Sequence, residues 1–180
     1  MLKIYRAKAP DLSRESEKLY TERLIGHIFD DLKLNGCALN KLPSGMPYIS
    51  GSDLKVSITH KDGNIFIAVC DNNIGIDVEK ISDDNEKLAK RIMSEEMFEE
   101  YLASKDRAIF LYSFYSAKEA YAKFLGKGLS VVMKKDITVP YTFQKTVLLD
   151  GIGYLFSLYC EKAKDISDIE FVFADFSLKD

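Results

Sequence analysis

Gly75-Ile76-Asp77-Val78-Glu79 and, about forty residues on, Lys118-Glu119-Ala120-Tyr121-Ala122-Lys123 together supply three carboxylates and two ammonium groups. On an extended strand residues two apart share a face, so Asp77 and Glu79 point together while Ile74, Ile76 and Val78 point the other way, into a core. Two neighbouring carboxylates repel, and a hard divalent ion, Mg²⁺ above all, relieves that repulsion while keeping positions for water and phosphate oxygens. On a helix Glu119 and Lys123 are four apart and share a face. Each pair also has a plainer reading, as a solvated strand edge or as a surface ion pair worth about 0.3–0.5 kcal/mol. The local charge shifts the balance: residues 118–135 hold five lysines and one acid in a chain of net charge -3. Such an excess suits an anion of the diphosphate kind. His60, at the end of Val56-Ser57-Ile58-Thr59, caps a strand or offers an N–H to a phosphate oxygen, with the Thr59 hydroxyl beside it.

The composition bounds what these residues can serve. At 180 residues, 47% apolar and 29% charged, the chain suits one ordinary domain or two small halves with a real core. Its acidic balance argues against a nucleic-acid or membrane-surface partner, which would call for a basic surplus. Cys37, Cys70 and Cys160 are far apart in sequence and odd in number, which supports neither a disulfide framework nor a zinc knuckle. No signal-type start and no membrane-length apolar run is present, so the expectation is a cytoplasmic protein.

The elements that must position the chemistry follow from periodicity and punctuation. Lys3–Ala7 alternates as a strand, and Asp11 or Ser13 is the expected N-cap of an amphipathic helix with Leu12, Leu19, Leu24, Ile28 and Leu32 on its stripe, ending before Asn35-Gly36. His27 sits at the edge of that stripe and reads as a packing or surface residue. After a Pro, Ser and Gly loop over 43–51, runs 54–60, 65–70 and 74–81 read as an antiparallel meander joined by Lys61-Asp62-Gly63-Asn64 and by Asp71-Asn72-Asn73. With strands spaced about 4.8 Å, that meander would put His60 roughly 10 Å from the carboxylates. Ser82-Asp83-Asp84-Asn85 marks a boundary between halves 1–82 and 83–180. Beyond it come helices near 86–93, from Ser94, and from about Asp106 to Leu125, stopped by Gly126. Strands are expected at 136–139, 143–149, 154–160 and 169–176.

Val56-Ser57-Ile58-Thr59-His60, Gly75-Ile76-Asp77-Val78-Glu79, and Tyr115-Ser116-Ala117-Lys118-Glu119 with Lys123 and Gly126-Lys127-Gly128-Leu129-Ser130 resemble, in order and spacing, the signature blocks of Sfp-type 4′-phosphopantetheinyl transferases. Gly45-Met46-Pro47 resembles that family's Gly-Lys-Pro block. The resemblance implies an α+β fold of two similar halves, with antiparallel sheets, packed helices and the active site between the halves. It implies transfer of 4′-phosphopantetheine from coenzyme A to a serine of an apo acyl or peptidyl carrier protein, releasing adenosine 3′,5′-bisphosphate. Carried over by position, Asp77, Glu79 and Glu119 would bind Mg²⁺, His60 and Thr59 would contact coenzyme A phosphates, Lys123 would bind the diphosphate and Lys118 would support it. Glu119 is the candidate base for the carrier serine, directly or through a water. The catalytic set is thus Glu119, Asp77 and Lys123.

Two departures remove a cation each: Met46 stands where the family usually has lysine, and Glu22 where it has a basic residue near the 3′-phosphate. Lys61 and Arg23 are the candidate replacements on the coenzyme A side. The carrier is expected to present an acidic helix, with Lys127, Lys134 and Lys135 either meeting it or merely solvating the surface. An already duplicated chain points to a monomer. The alternatives are a catalytically weakened module that binds coenzyme A or carrier protein, and an unrelated Mg²⁺ phosphohydrolase using the same carboxylates.

Overall fold

The computed structural model describes residues 1–135, 137–140, 142–160 and 170–173. In chain order the elements are β1 (Leu2–Lys8), α1 (Arg14–Asp31), β2 (Ala38–Lys41), β3 (Pro47–Ser50), β4 (Lys55–Lys61), β5 (Asn64–Cys70), β6 (Gly75–Lys80), α2 (Glu86–Ile92), α3 (Glu95–Ala103), α4 (Arg107–Leu125), α5 (Leu129–Val132), β7 (Phe143–Leu149), β8 (Ile152–Tyr159) and β9 (Glu170–Phe173). This is the mixed α+β architecture, with mainly antiparallel sheets and packed helices, that the resemblance implied. Two compact units emerge, one of Met1–Ile74 with Cys160 and β9, the other of Gly75–Tyr159.

In the first unit the sheet order is β4-β5-β1-β9. β5 is buried along its whole length because it is paired on both sides and covered on both faces. It turns out of β4 through Asp62 (φ 50°) and Gly63 (φ 73°). Two left-handed residues in succession form the type I′ turn whose twist matches the strands it joins. β9 joins the far edge parallel to β1. α1 begins at Ser13, whose side chain accepts the Ser16 N–H at 3.1 Å. Its buried stripe is Tyr20, Leu24 and Ile28, spaced four apart; Leu12 and Leu19, expected on that stripe, are exposed. The helix ends in a pair of bonds, Leu34 N–H to Phe29 O at 2.8 Å and Lys33 N–H to Asp30 O at 3.2 Å, with Lys33 in the left-handed position. Its last turn is tied to β1 where the Tyr5 hydroxyl donates to Asp31 Oδ2 at 2.6 Å. His27 is exposed, with its ring edge-on to Tyr5.

The second unit corrects one expectation. β6 does not continue the β4-β5 hairpin as a meander; it pairs antiparallel with β8, which pairs with β7, in a separate sheet. The across-sheet estimate from His60 to Asp77 therefore has no basis. The reason lies at Gly75, where a Cβ would stand 1.9 Å from Ala120 O and 2.5 Å from Phe124 N. β6 runs directly beneath the backbone of α4, and a strand so placed is committed to the sheet that carries that helix. α2, α3 and α4 are capped by Asn85, Ser94 and Asp106, each accepting a backbone N–H three residues on. Gly126 (φ 62°) closes α4, with Lys127 N–H bonded to Ala122 O and Gly126 N–H to Lys123 O, both at 3.1 Å. Hairpin β2-β3 and the short α5 were not foreseen. Residues 137–140 are not strand, while Asp136, Tyr141, 161–169 and 174–180 lie outside the described residues.

Gly75→Ala is expected to cost about 2–3 kcal/mol, because α4 must lift to admit one methyl group. Gly26→Ala, in exposed helix with no atom within 4 Å of the added carbon, is expected to gain about 0.5–1 kcal/mol. Urea denaturation of the two variants checks both signs.

Candidate active site

Packing α4 on β6 joins the two carboxylate-bearing stretches. Asp77 is two residues beyond Gly75 on the same face of β6, and Lys123 is on the turn of α4 above it. Lys123 Nζ donates to Asp77 Oδ1 at 2.8 Å. Asp77 is buried, whereas Lys123 keeps about a third of its side chain in solvent. One turn back on α4, Glu119 is half-buried, and Tyr115, a further turn back, donates its hydroxyl to Glu119 Oε1 at 3.1 Å. Tyr115, Glu119 and Lys123 thus form one stripe at four-residue spacing.

The electrostatics of the cluster are those of crowded acids. Burial, then the Asp77 charge, raise the Glu119 carboxyl above its ordinary value; Lys123 and the Tyr115 hydroxyl oppose the rise, and Glu79 adds to it. Burial and the facing Glu119 push the Tyr115 phenol up in turn. Asp77 and Glu79 therefore both act on Glu119 through space. Among the described residues no three His, Cys, Asp or Glu side chains are already gathered as a metal-holding group. The donor set nevertheless fits a hard divalent cation: its atoms are carboxylate oxygens, and their repulsion is only partly offset by one lysine.

Two residues of this site escaped the sequence reading. Ser157 of β8 stands opposite Asp77, and Gln144 of β7 stands opposite Ser157. Gln144 Nε2 donates to Ser157 Oγ at 2.9 Å and to Ser113 O at 2.7 Å, so a polar row crosses the sheet to the foot of α4. The available signal in the sequence was a lone serine between Phe156 and Leu158.

Lys118 is placed otherwise than expected. It is fully buried, its ammonium bonded to Ile92 O at 3.2 Å and Lys134 O at 2.9 Å, above the Phe114 ring. Lys127, Lys134 and Lys135 are exposed. Beside them a groove of about 830 Å³ is lined by Met97, Ile109, Phe110, Phe114, Val139 and Gln144 among others.

The first unit holds a second polar recess. His60 lines a groove of about 610 Å³ with Arg14, Glu17, Lys18, Thr21, Glu22, Lys41 and Ile58, with Gly45 of the β2-β3 connection and with Pro47 of β3. The Thr21 hydroxyl spends its hydrogen on Glu17 O at 2.7 Å, so at 3.0 Å from His60 Nε2 it accepts, and Nε2 carries the proton. Of the other residues expected here, Thr59 is buried and Lys61 ends β4; neither forms the groove wall. Arg23 is not in the wall either: its guanidinium lies over the Tyr20 ring at 5.2 Å. Arg14, Lys18 and Lys41 supply the cations instead. Lys41 faces Pro47 across the hairpin, beside Met46. Lys18 is also 3.9 Å from Glu22, on the next turn of α1.

Because the fold raises the Glu119 carboxyl, its contribution to stability is fully present below the ordinary value of 4.5 and is lost as pH rises through the raised one. At pH 7 and without divalent ions, Glu119→Gln is therefore expected to unfold a few degrees higher than the wild type. Thermal melts should show the gap closing near pH 4.

The model of the 4′-phosphopantetheinyl transferase superfamily matches residues 73–171, which include β6, α4 and β8. A 4′-phosphopantetheinyl transferase of Aneurinibacillus migulanus is 27% identical over 125 residues, covering 59% of this chain and 52% of the relative. A 4′-phosphopantetheinyl transferase of Bacillus subtilis is 34% identical over 90 residues, covering 48% of this chain and 40% of the relative. The chain thus spans about half the length of the relatives it matches. Since the family match takes in more than half of the chain, and with it the strand and helix that build the carboxylate cluster, this protein belongs to the 4′-phosphopantetheinyl transferase superfamily.

Proposed function

We propose that this protein transfers 4′-phosphopantetheine from coenzyme A to the serine of an apo acyl or peptidyl carrier protein. The observation that carries the reading is the ion pair of Lys123 with Asp77 beside Glu119, which joins two family motifs into one cluster on one sheet and helix. Displacement at phosphorus asks chiefly for charge neutralisation and alignment. Lys123, partly exposed, would bind a diphosphate oxygen. Asp77, Glu79 and Glu119 would hold Mg²⁺, which when bound neutralises the diphosphate and stabilises the departing bisphosphate.

Glu119 would take the proton of the carrier serine as its oxygen forms the new bond to the pantetheine phosphate and the diphosphate P–O bond breaks. The Tyr115 hydroxyl donates to Glu119 Oε1 and so orients that carboxylate for the transfer. In the first unit, His60 with Arg14, Lys18 and Lys41 would contact phosphates of coenzyme A. On this reading the protein acts as a monomer in the cytoplasm, and its macromolecular partner is a carrier with an acidic helix; no helix among the described residues is long and apolar enough to cross a membrane.

Incubation with coenzyme A, Mg²⁺ and several apo carriers, followed by intact-mass measurement of each carrier, tests the reaction. One added phosphopantetheine is expected, absent with a chelator and with Asp77→Ala. Binding of coenzyme A without transfer to any carrier would point instead to a weakened binding module. Diphosphate cleavage with no acceptor present would point to a hydrolase.

Lys41→Ala is expected to raise KM for coenzyme A about 10-fold, as for one lost charge-assisted bond. The same variant should leave KM for coenzyme A lacking its 3′-phosphate within about 2-fold if the lost bond is to that phosphate. Steady-state assays with the two donors separate these outcomes.

A further inference from the structure

We infer that Lys118 is a positioning residue, which fixes the turn of α4 bearing Glu119 and does not touch the ligand; this rests on the reading of Asp77, Glu79, Glu119 and Lys123 as the reaction centre. A fully buried ammonium is costly unless its hydrogens are taken up. Lys118 Nζ donates to Ile92 O at 3.2 Å and to Lys134 O at 2.9 Å, and lies 4.8 Å from the centroid of the Phe114 ring. Ile92 is the last residue of α2, and Lys134 follows the cap of α5. The Ile92 carbonyl, at the C-terminus of α2, lacks an intrahelical partner and carries the negative end of the helix dipole, which makes it a fit acceptor for a cation, while the Lys134 carbonyl also accepts the Ile137 N–H at 3.2 Å.

One side chain therefore ties three segments together: the end of α2, the middle of α4 and the chain after α5. To reach a diphosphate it would have to leave both carbonyls and expose a side chain that has no accessible surface. Its neighbour Glu119 lies about 100° further round the helix, on the stripe with Tyr115 and Lys123. Holding Lys118 inside thus sets the direction in which Glu119 emerges. A misplacement of about 1 Å at a reacting group costs about 100-fold in rate, so loss of the tether should appear in turnover and not in coenzyme A affinity.

The test compares Lys118→Met, Phe114→Leu and Tyr101→Phe. Tyr101 donates to Asp84 and takes no part in the site, so its variant controls for destabilisation alone. Expected for K118M is a kcat reduced about 10- to 100-fold, a coenzyme A Kd by calorimetry within about 2-fold of wild type, and faster amide exchange at 116–123 and 129–134. F114L should shift kcat and exchange in the same direction by less, and it carries the comparison if K118M does not fold. Y101F should lower Tm and keep kcat. A folded K118M or F114L that binds coenzyme A at least about 10-fold more weakly, with wild-type exchange, would establish ligand contact and overturn the inference. A kcat loss no larger than that of Y101F at matched loss of Tm would reduce Lys118 to a purely structural role. Should the wild type transfer nothing to any carrier, the transferase reading fails by that result, while amide exchange still decides whether Lys118 holds the Glu119 turn.

Discussion

The contact between α4 and Gly75 is the constraint on which the second unit depends. Without a side chain at that position, helix backbone can approach strand backbone, and the registers of the two elements are set against each other. Everything chemical is then within one turn or two residues: Asp77 along the strand, Glu119 and Lys123 along the helix. Tyr159, opposite Gly75 in β8, fills the space beside the contact and packs edge-on against Tyr121 and Phe124 of α4. An aromatic shim on one side and a missing side chain on the other hold the helix at one height above the sheet.

The cluster so formed is poorly suited to stability. A buried Asp77 beside a half-buried Glu119, whose carboxyl it and Glu79 raise, would be a liability in a purely structural setting, where apolar residues of similar volume do as well or better. The surroundings accept this arrangement and hold it in place. Tyr115 orients Glu119, Lys123 partly neutralises Asp77, and the Ser157–Gln144 row secures the sheet beneath them. Perturbed titratable groups of this kind cluster at functional sites.

The recess of the first unit is built differently, from the face of a helix, the end of a strand and a hairpin. Met46 removes one cation relative to the family pattern, and hairpin pairing brings Lys41 opposite Pro47, next to the vacated position. Arg14 and Lys18 project from the early turns of α1, where its capping by Ser13 fixes the start of the helix. Glu17 and Glu22 line the same recess, so its three cations stand beside two acids.

Much of this was legible before any coordinates. The helix starts at Ser13 and Ser94, the stop at Gly126, the hairpin connection at 61–64 and the spacing of Glu119 and Lys123 are local matters, decided by backbone conformation within a few residues. The family motifs were likewise continuous in sequence. Tertiary structure decided what depends on distant partners. β6 had the alternation of a strand but no mark of which strand it would join, and the choice of β8 over β5 was settled by the close approach of α4 at Gly75. Periodicity alone put Leu12 and Leu19 on the buried stripe of α1, and packing chose Tyr20 instead. Lys118 and Arg23 look like available cations in the sequence, yet one is enclosed by carbonyls and the other rests on a tyrosine ring, because the direction of a long side chain is set by what surrounds it and not by its neighbours along the chain.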